Sequence, residues 1–372
     1  MNKFSLVVML LAATLSVAQA PIPIHQPKLT FQRSNTTQLL IAVSPVNSQV
    51  VWAAGTGGTF VMTTNGGNTW TSGIVPGAEQ LQFRDVQGVS DQVAYLMSIG
   101  NNTTDFRIYK TTDGGNTWSI EFTNETTNAF YDCMAFWTAD NGVAHSDSVN
   151  GVFPAIRTTD GLTWQSIASN MPPALPGEAS FSSSGTCITT QGSTNAWITT
   201  GGSVISRILA TTDGGNTWNA YNTPLTSSPS AGGFSVAFRD ALHGVVGGGD
   251  LSKNFYGQMA ASSDGGQFWT MTNSPPIPGA IFCLAYANGQ TLPATASDEE
   301  IVRPVSNAFA RTVVVTSEMA PNFSTGSAAW TPDEGKTWHT LSQVSGYWAV
   351  AFADPQDGWF VGNNGQILKI SF

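Results

Sequence analysis

Seven side chains in this sequence can bring charge chemistry together: the carboxylates Glu79, Asp85, Asp132, Asp147, Glu178 and Asp250, and the guanidinium of Arg84. Two carboxylates facing one another across a cleft can be tuned to opposite protonation states, as glycosidic hydrolysis requires. Asp132 and Glu178 are the candidate pair for such general acid/base work on a glycan, with the others completing a polar ligand pocket. The competing reading is that buried charges come paired, with Arg84 simply neutralising Asp85 or Asp132. Other chemistries find little support. His25, His145, His243 and His339 lack metal-ligand spacing. No Gly-x-Ser-x-Gly elbow is present, and no Gly-x-Gly-x-x-Gly follows a strand. Neither a cofactor nor a metal is expected.

What must position these groups is a repeat. One phrase recurs as Thr63 to Trp70 (TTNGGNTW), Thr111 to Trp118 (TTDGGNTW), Thr158 to Trp164 (TTDGLTW), Thr211 to Trp218 (TTDGGNTW), Ser262 to Trp269 (SSDGGQFW) and Thr331 to Trp338 (TPDEGKTW). Successive tryptophans stand 48, 46, 54, 51 and 69 residues apart, about the length of a four-stranded propeller blade. Glycine accepts the positive φ of a tight turn, and the acid or amide of the phrase (Asn65, Asp113, Asp160, Asp213, Asp264, Asp333) can bond its amides. Trp70, Trp118, Trp164, Trp218, Trp269 and Trp338 would then pack between blades, a structural role for the whole phrase.

Upstream of the phrases run apolar strands such as Tyr131 to Trp137, Phe234 to Asp240 and Trp348 to Asp354. The expectation is an all-β, seven-bladed β-propeller, with blades near 38–76, 81–124, 129–168, 178–224, 232–275, 279–342 and 346–372. The last unit ends before a phrase, so Lys28 to Arg33 (KLTFQR) is expected to supply its outer strand and close the ring. Ser235, Cys133, Cys283 and Ala349 fall at equivalent inner-strand positions and read as small fillers. A Cys133 to Cys187 bridge and a pair of buried thiols both remain open. The insertion Thr291 to Ser306, with Asp298-Glu299-Glu300, reads as a solvated loop.

Composition agrees with many short strands: charged residues are only 10%, and 38 glycines serve the turns. A net charge of −10 with 14 Lys plus Arg disfavours nucleic acid and anionic membrane surfaces. Lys3, the apolar run Leu6 to Leu15 and Ala18-Gln19-Ala20 read as a signal peptide over 1–20, so a single mature propeller over 21–372, secreted or periplasmic, is expected. No membrane insertion is expected, and a monomer is. The sequons at Asn35, Asn101, Asn102, Asn124 and Asn322 would matter only in a eukaryotic host.

The phrases at blade spacing resemble the Asp-box, or BNR, repeats of sialidases and related propellers. Pro76 to Asp85, Ile108 to Trp118, Phe130 to Trp137, Ala174 to Thr186, Trp197 to Gly202 and Phe234 to Asp250 make nearly the whole mature chain similar to bacterial proteins of the photosystem II stability and assembly factor type. These are often labelled oxidoreductases. That resemblance implies a fold and a binding-scaffold role, with a protein or glycan ligand on the channel face. The assembly role itself leans on an arginine patch, whereas the eight arginines here are spread over several blades. A more distant likeness to xyloglucan-cleaving propellers keeps a polysaccharide hydrolase or lyase as the alternative, although those enzymes generally carry a second propeller. Sialidase chemistry is disfavoured. Phe106-Arg107-Ile108 lacks the proline of the sialidase motif, and Arg107 and Arg207 recur at one blade position, as strand features do. On this reading Asp213→Ala destabilises the fold, whereas Glu178→Ala spares it and removes ligand binding.

Overall fold

The computed structural model describes residues 26–253, 255–289, 309–319 and 326–372. The expected leader, His25, the Thr291 to Ser306 insertion and the Asn322 sequon lie outside the described residues. Seven four-stranded antiparallel sheets make seven blades, each running from an innermost to an outermost strand. Six are built from consecutive strands. The seventh takes Tyr347–Asp354, Asp357–Gly362 and Gln366–Ser371 from the C-terminal end and Lys28–Arg33 as its outer strand, in register from Lys28 opposite Ser371 to Arg33 opposite Gln366. No helix among the described residues is long and apolar enough to cross a membrane.

Burial explains the sequence pattern. Inner strands are sandwiched between neighbouring blades and read as apolar runs; every residue of Tyr131–Thr138 is buried. Outer strands such as Ser119–Thr123 and Thr270–Met271 are exposed or half-buried and mix polar with apolar residues. Two expected boundaries shift. The inner strand of blade four starts only at Ile188, because 180–187 is irregular, and the outer strand of blade six continues to Ser345.

The repeat phrase sits in the turn between the third and fourth strands. In blade two, Asp113 Oδ1 accepts Thr117 N–H at 2.8 Å, its Oδ2 accepts the Thr117 hydroxyl at 2.6 Å, and the Thr111 hydroxyl accepts Gly115 N–H at 3.0 Å. Gly114 and Gly115 take φ of 71° and 85°, open to glycine without strain. The sixth phrase departs: Glu334 stands in the left-handed region at φ 57°. It is held there by Arg239 (2.8 Å), Arg311 (2.9 Å) and the Tyr286 hydroxyl (3.0 Å), a network joining blades five and six.

Phrase tryptophans pack against the preceding blade. Trp118 meets Phe60 and Trp52 of blade one edge-on, and Trp269 meets Phe238 beside Trp197 of blade four. Ring closure uses one amide: Gln32 Oε1 accepts the indole N–H of Trp70 (3.1 Å) from blade one and of Trp359 (3.2 Å) from blade seven, while its Nε2 donates to Gly66 O.

Candidate functional site at the channel mouth

Inner-strand pairing is interrupted at one repeated position. A bulge falls between Leu40 and Ala42, Phe83 and Asp85, Tyr131 and Cys133, Gly233 and Ser235, Ile281 and Cys283, and Tyr347 and Ala349. The skipped residues are Ile41, Arg84, Asp132, Phe234, Phe282 and Trp348. A bulge re-aims a side chain out of the ladder, and here it aims them at the axis. Ile41, Phe234, Phe282 and Trp348, from four different blades, meet in one buried apolar cluster. The guanidinium of Arg84 lies 5.7 Å from the centre of the Trp348 ring.

In blades three, five, six and seven the bulge leaves a nearby amide short of a ladder partner, and the preceding blade supplies one. Asp85 Oδ2 accepts Met134 N–H at 2.7 Å, Ser235 Oγ accepts Leu284 N–H at 2.9 Å, and Cys283 Sγ accepts Val350 N–H at 3.3 Å. In blade four a backbone carbonyl, Thr186 O, serves Val236 N–H. The position read as a mere filler is therefore an inter-blade link. At blades three and four it is covalent: Cys133 and Cys187 form a disulfide with Cα atoms 6.0 Å apart, and Cys283 is a buried free thiol.

Blade four contributes a plug in place of a bulged strand. Phe181 lies 4.0 Å, ring to ring, from Phe234, and the hydroxyls of Ser183 and Ser184 both donate to Phe282 O at 2.8 and 2.7 Å, across the ring in blade six. Thr186 and Ser235 share a hydroxyl bond of 2.6 Å, and Arg84 Nη1 donates to Ser182 O at 3.2 Å. The axis is thus filled by the chain itself. The larger of the two best-formed hollows among the described residues, about 560 Å³, lies along 31–37 and 364–366 at the outer edge of blade seven, away from the axis.

The structure separates the candidate acids. Asp132 and Asp147 lie beside one another, each acting on the other's titration, and the buried Oδ2 of Asp132 has no hydrogen-bond partner. Burial raises Asp132 well above the carboxylate range and lifts Asp147 to about 6, against the Ser180 amide that bonds Asp147 at 2.9 Å. Glu178 is elsewhere engaged. Arg207 grips both of its oxygens, through Nε at 2.8 Å and through Nη2, while Leu175 N–H (2.8 Å) and the Thr200 hydroxyl (2.7 Å) complete the shell. Asp132 and Glu178 therefore do not stand as a free acid/base pair, which corrects the sequence expectation. A fully buried Glu178 is a structural anchor, and its removal would strand Arg207.

The remaining candidates also have partners. Asp85 is buried, which raises its pKa well above the usual range, opposed by the amides of Met134 and Val86 that cap it. Asp250 loses to burial but gains more from Ser252, Ser230 and Lys253, ending at about 2. Glu79 is exposed, its carboxylate accepting Gly77 N–H. Arg84 forms no ion pair with Asp85 or Asp132, contrary to the paired reading; its polar partners are Ser182 O and Gln82 Oε1.

Two groups escaped the sequence reading. Glu318 is 1% exposed at the end of the second strand of blade six, with Oε2 on Gly326 N–H and Oε1 without a partner; burial lifts it to about 8. Its signal was register: Ser317-Glu318 and Ser146-Asp147 hold the same place after the inner-strand bulge. His145, buried with both nitrogens unpartnered, is pushed down to about 3 and stays neutral beside Phe153. Among the described residues no cluster of three or more metal-ligating side chains occurs.

Comparison with solved structures places this architecture. A structure described as YCF48 bound to D1 peptide superposes with TM-score 0.62 at 16% identity, covering 94% of this chain and 96% of that one. YCF48 from Cyanidioschyzon merolae gives 0.62 at 17% identity, with 92% and 98% covered. The GH74 xyloglucanase from Xanthomonas campestris gives 0.57 at 12% identity; 91% of this chain is covered but only 53% of the enzyme, so the chain spans about half its length. No family model and no curated protein matches the sequence. The chain is thus a seven-bladed propeller similar to YCF48 and to one half of xyloglucanases, a likeness of fold.

Proposed function

We propose that this propeller is an exported, monomeric and non-catalytic binding scaffold that holds a protein segment on the channel face. The observation that carries this reading is the occupied axis. The plug at 181–186 fills the place a cleft would need, and Asp85, Asp147, Glu178 and Asp250 are engaged by backbone amides, Arg207, serine hydroxyls or Lys253. What the same face offers is contact area. Val204, Phe255 and Tyr256, in the loops after the second strands of blades four and five, are 87%, 73% and 63% exposed. Exposed aromatic residues beside polar neighbours suit a partner surface. The similar YCF48, described as bound to a D1 peptide, supports a peptide over a sugar.

The glycan-active alternative draws on the xyloglucanase likeness, but its candidate pair, Asp132 and Glu178, is buried. A peptide-array and polysaccharide-digestion screen of the full chain tests both. Binding of extended peptides that falls at least tenfold in Phe255→Ser/Tyr256→Ser, with no sugar released, is expected. Polysaccharide turnover lost in Asp132→Asn would overturn the scaffold reading.

A further inference from the structure

We propose that Arg84 is an anion-binding residue whose guanidinium receives a carboxylate carried by the ligand. This rests on the scaffold reading and adds the chemistry that the channel face recognises.

The argument is one of charge balance. Arg84 is mostly buried, projected to the axis by its bulge and flanked by the Trp348 ring. A guanidinium cannot shed its proton in a protein, so the charge stays and needs compensation. None of the ion pairs within 4.0 Å among the described residues includes it. Its hydrogen bonds go to two neutral oxygens, Ser182 O and Gln82 Oε1, and its Nε has no partner. Arg207 provides the internal comparison: it is the more buried of the two, and it spends Nε and Nη2 on both oxygens of Glu178.

Asp132, the acid that acts on Arg84 through space, is no substitute, because it stands beyond ion-pair distance and makes no hydrogen bond to the guanidinium. Asp85 beside it turns both oxygens to backbone amides. His145 is neutral, and Glu178 belongs to Arg207. The group that matches this Arg fork is planar and carries one negative charge, which describes a carboxylate.

The probes are N-acetylglycine and its uncharged analogue N-acetylglycinamide, titrated into the full-length protein at pH 5.5 while the Arg84 Nε–Hε resonance is followed by NMR. A saturable shift with the acid and none with the amide is expected, together with at least a tenfold loss of affinity in Arg84→Gln read on neighbouring amides. Asp132→Asn should keep the wild-type affinity within about twofold, since that carboxyl makes neither an ion pair nor a hydrogen bond with Arg84. Equal responses to acid and amide, no saturation, or unchanged affinity in Arg84→Gln would each refute the assignment. So would a tenfold gain in Asp132→Asn, which would identify Asp132 as the resident counter-ion. If Arg84→Gln fails to fold, the acid and amide titrations of the wild type decide alone. A peptide that needs Phe255 and Tyr256 but ignores Arg84→Gln would leave the scaffold reading standing and sink this one.

Discussion

Breaking the Cys133–Cys187 bond should cost this propeller about 4 kcal/mol, a large share of a domain's usual net stability. The bond joins residues 54 apart in sequence, enclosing the outer part of blade three and the whole plug. In the chain-entropy model, closing a loop of that length removes roughly 14 cal/mol/K from the unfolded state, or about 4 kcal/mol at 25 °C. Both sulfurs are buried, at 0% and 1% exposure, so reductant will not reach them in the folded protein. The protein should therefore be unfolded in guanidinium chloride, reduced, and refolded under reductant, which keeps every heavy atom in place. Equilibrium denaturation of the oxidised and reduced forms then gives the difference as the product of slope and midpoint shift. A loss of about 3–4 kcal/mol, with earlier proteolysis near 181–186 in the reduced form, is expected. Identical midpoints would refute the reasoning, because they would mean that inter-blade packing already confines the unfolded loop or that the bond does not form.

Gln32→Leu should destabilise by about 2–5 kcal/mol, since the buried indoles Trp70 and Trp359 both lose their acceptor; an unchanged melting temperature would dismiss the closing strand as the latch. Glu334→Ala should cost more than Glu334→Gly by about 1 kcal/mol, because both lose the Arg239 and Arg311 pairing but only glycine relieves the positive φ; the reverse order in urea unfolding contradicts this. Glu178→Ala should destabilise by about 3–5 kcal/mol by leaving Arg207 buried and unpaired, and a neutral result would return Glu178 to the list of free acids. Asp147, at about 6, holds its proton longer folded than unfolded, so the folded state binds more protons and stability should fall as pH rises from about 4 through 6. The slope is up to about 1.4 kcal/mol per pH unit for one group, and it should flatten in Asp147→Asn when denaturation midpoints are compared.

Much of the fold was legible because blades repeat and the phrase carries turn chemistry that glycine and a carboxylate enforce locally. The closing strand could be inferred from a blade left one strand short. The site was harder to read, for identifiable reasons. A bulge inverts the alternation of side chains, so Phe282 and Trp348 look like ordinary core residues in sequence when they line the axis. The Phe181 to Gly185 stretch looked like the approach to a strand, yet Ser and Gly let it run across the channel. Glu178 and Arg207 are 29 residues apart, and only the closed geometry of blade four shows that one answers the other.

The bulge positions also separate two kinds of change that a repeat fold usually ties together. A residue skipped by the ladder has no cross-strand partner of its own to satisfy, and this chain tolerates isoleucine, arginine, aspartate, phenylalanine and tryptophan there while its neighbour keeps the blades joined. The lining of the axis is in that sense a replaceable insert on a fixed frame. Six single-codon-sized decisions, one in each blade but the fourth, can turn the mouth from greasy to charged without repacking any wall between blades, so a new partner could be acquired at little cost to folding.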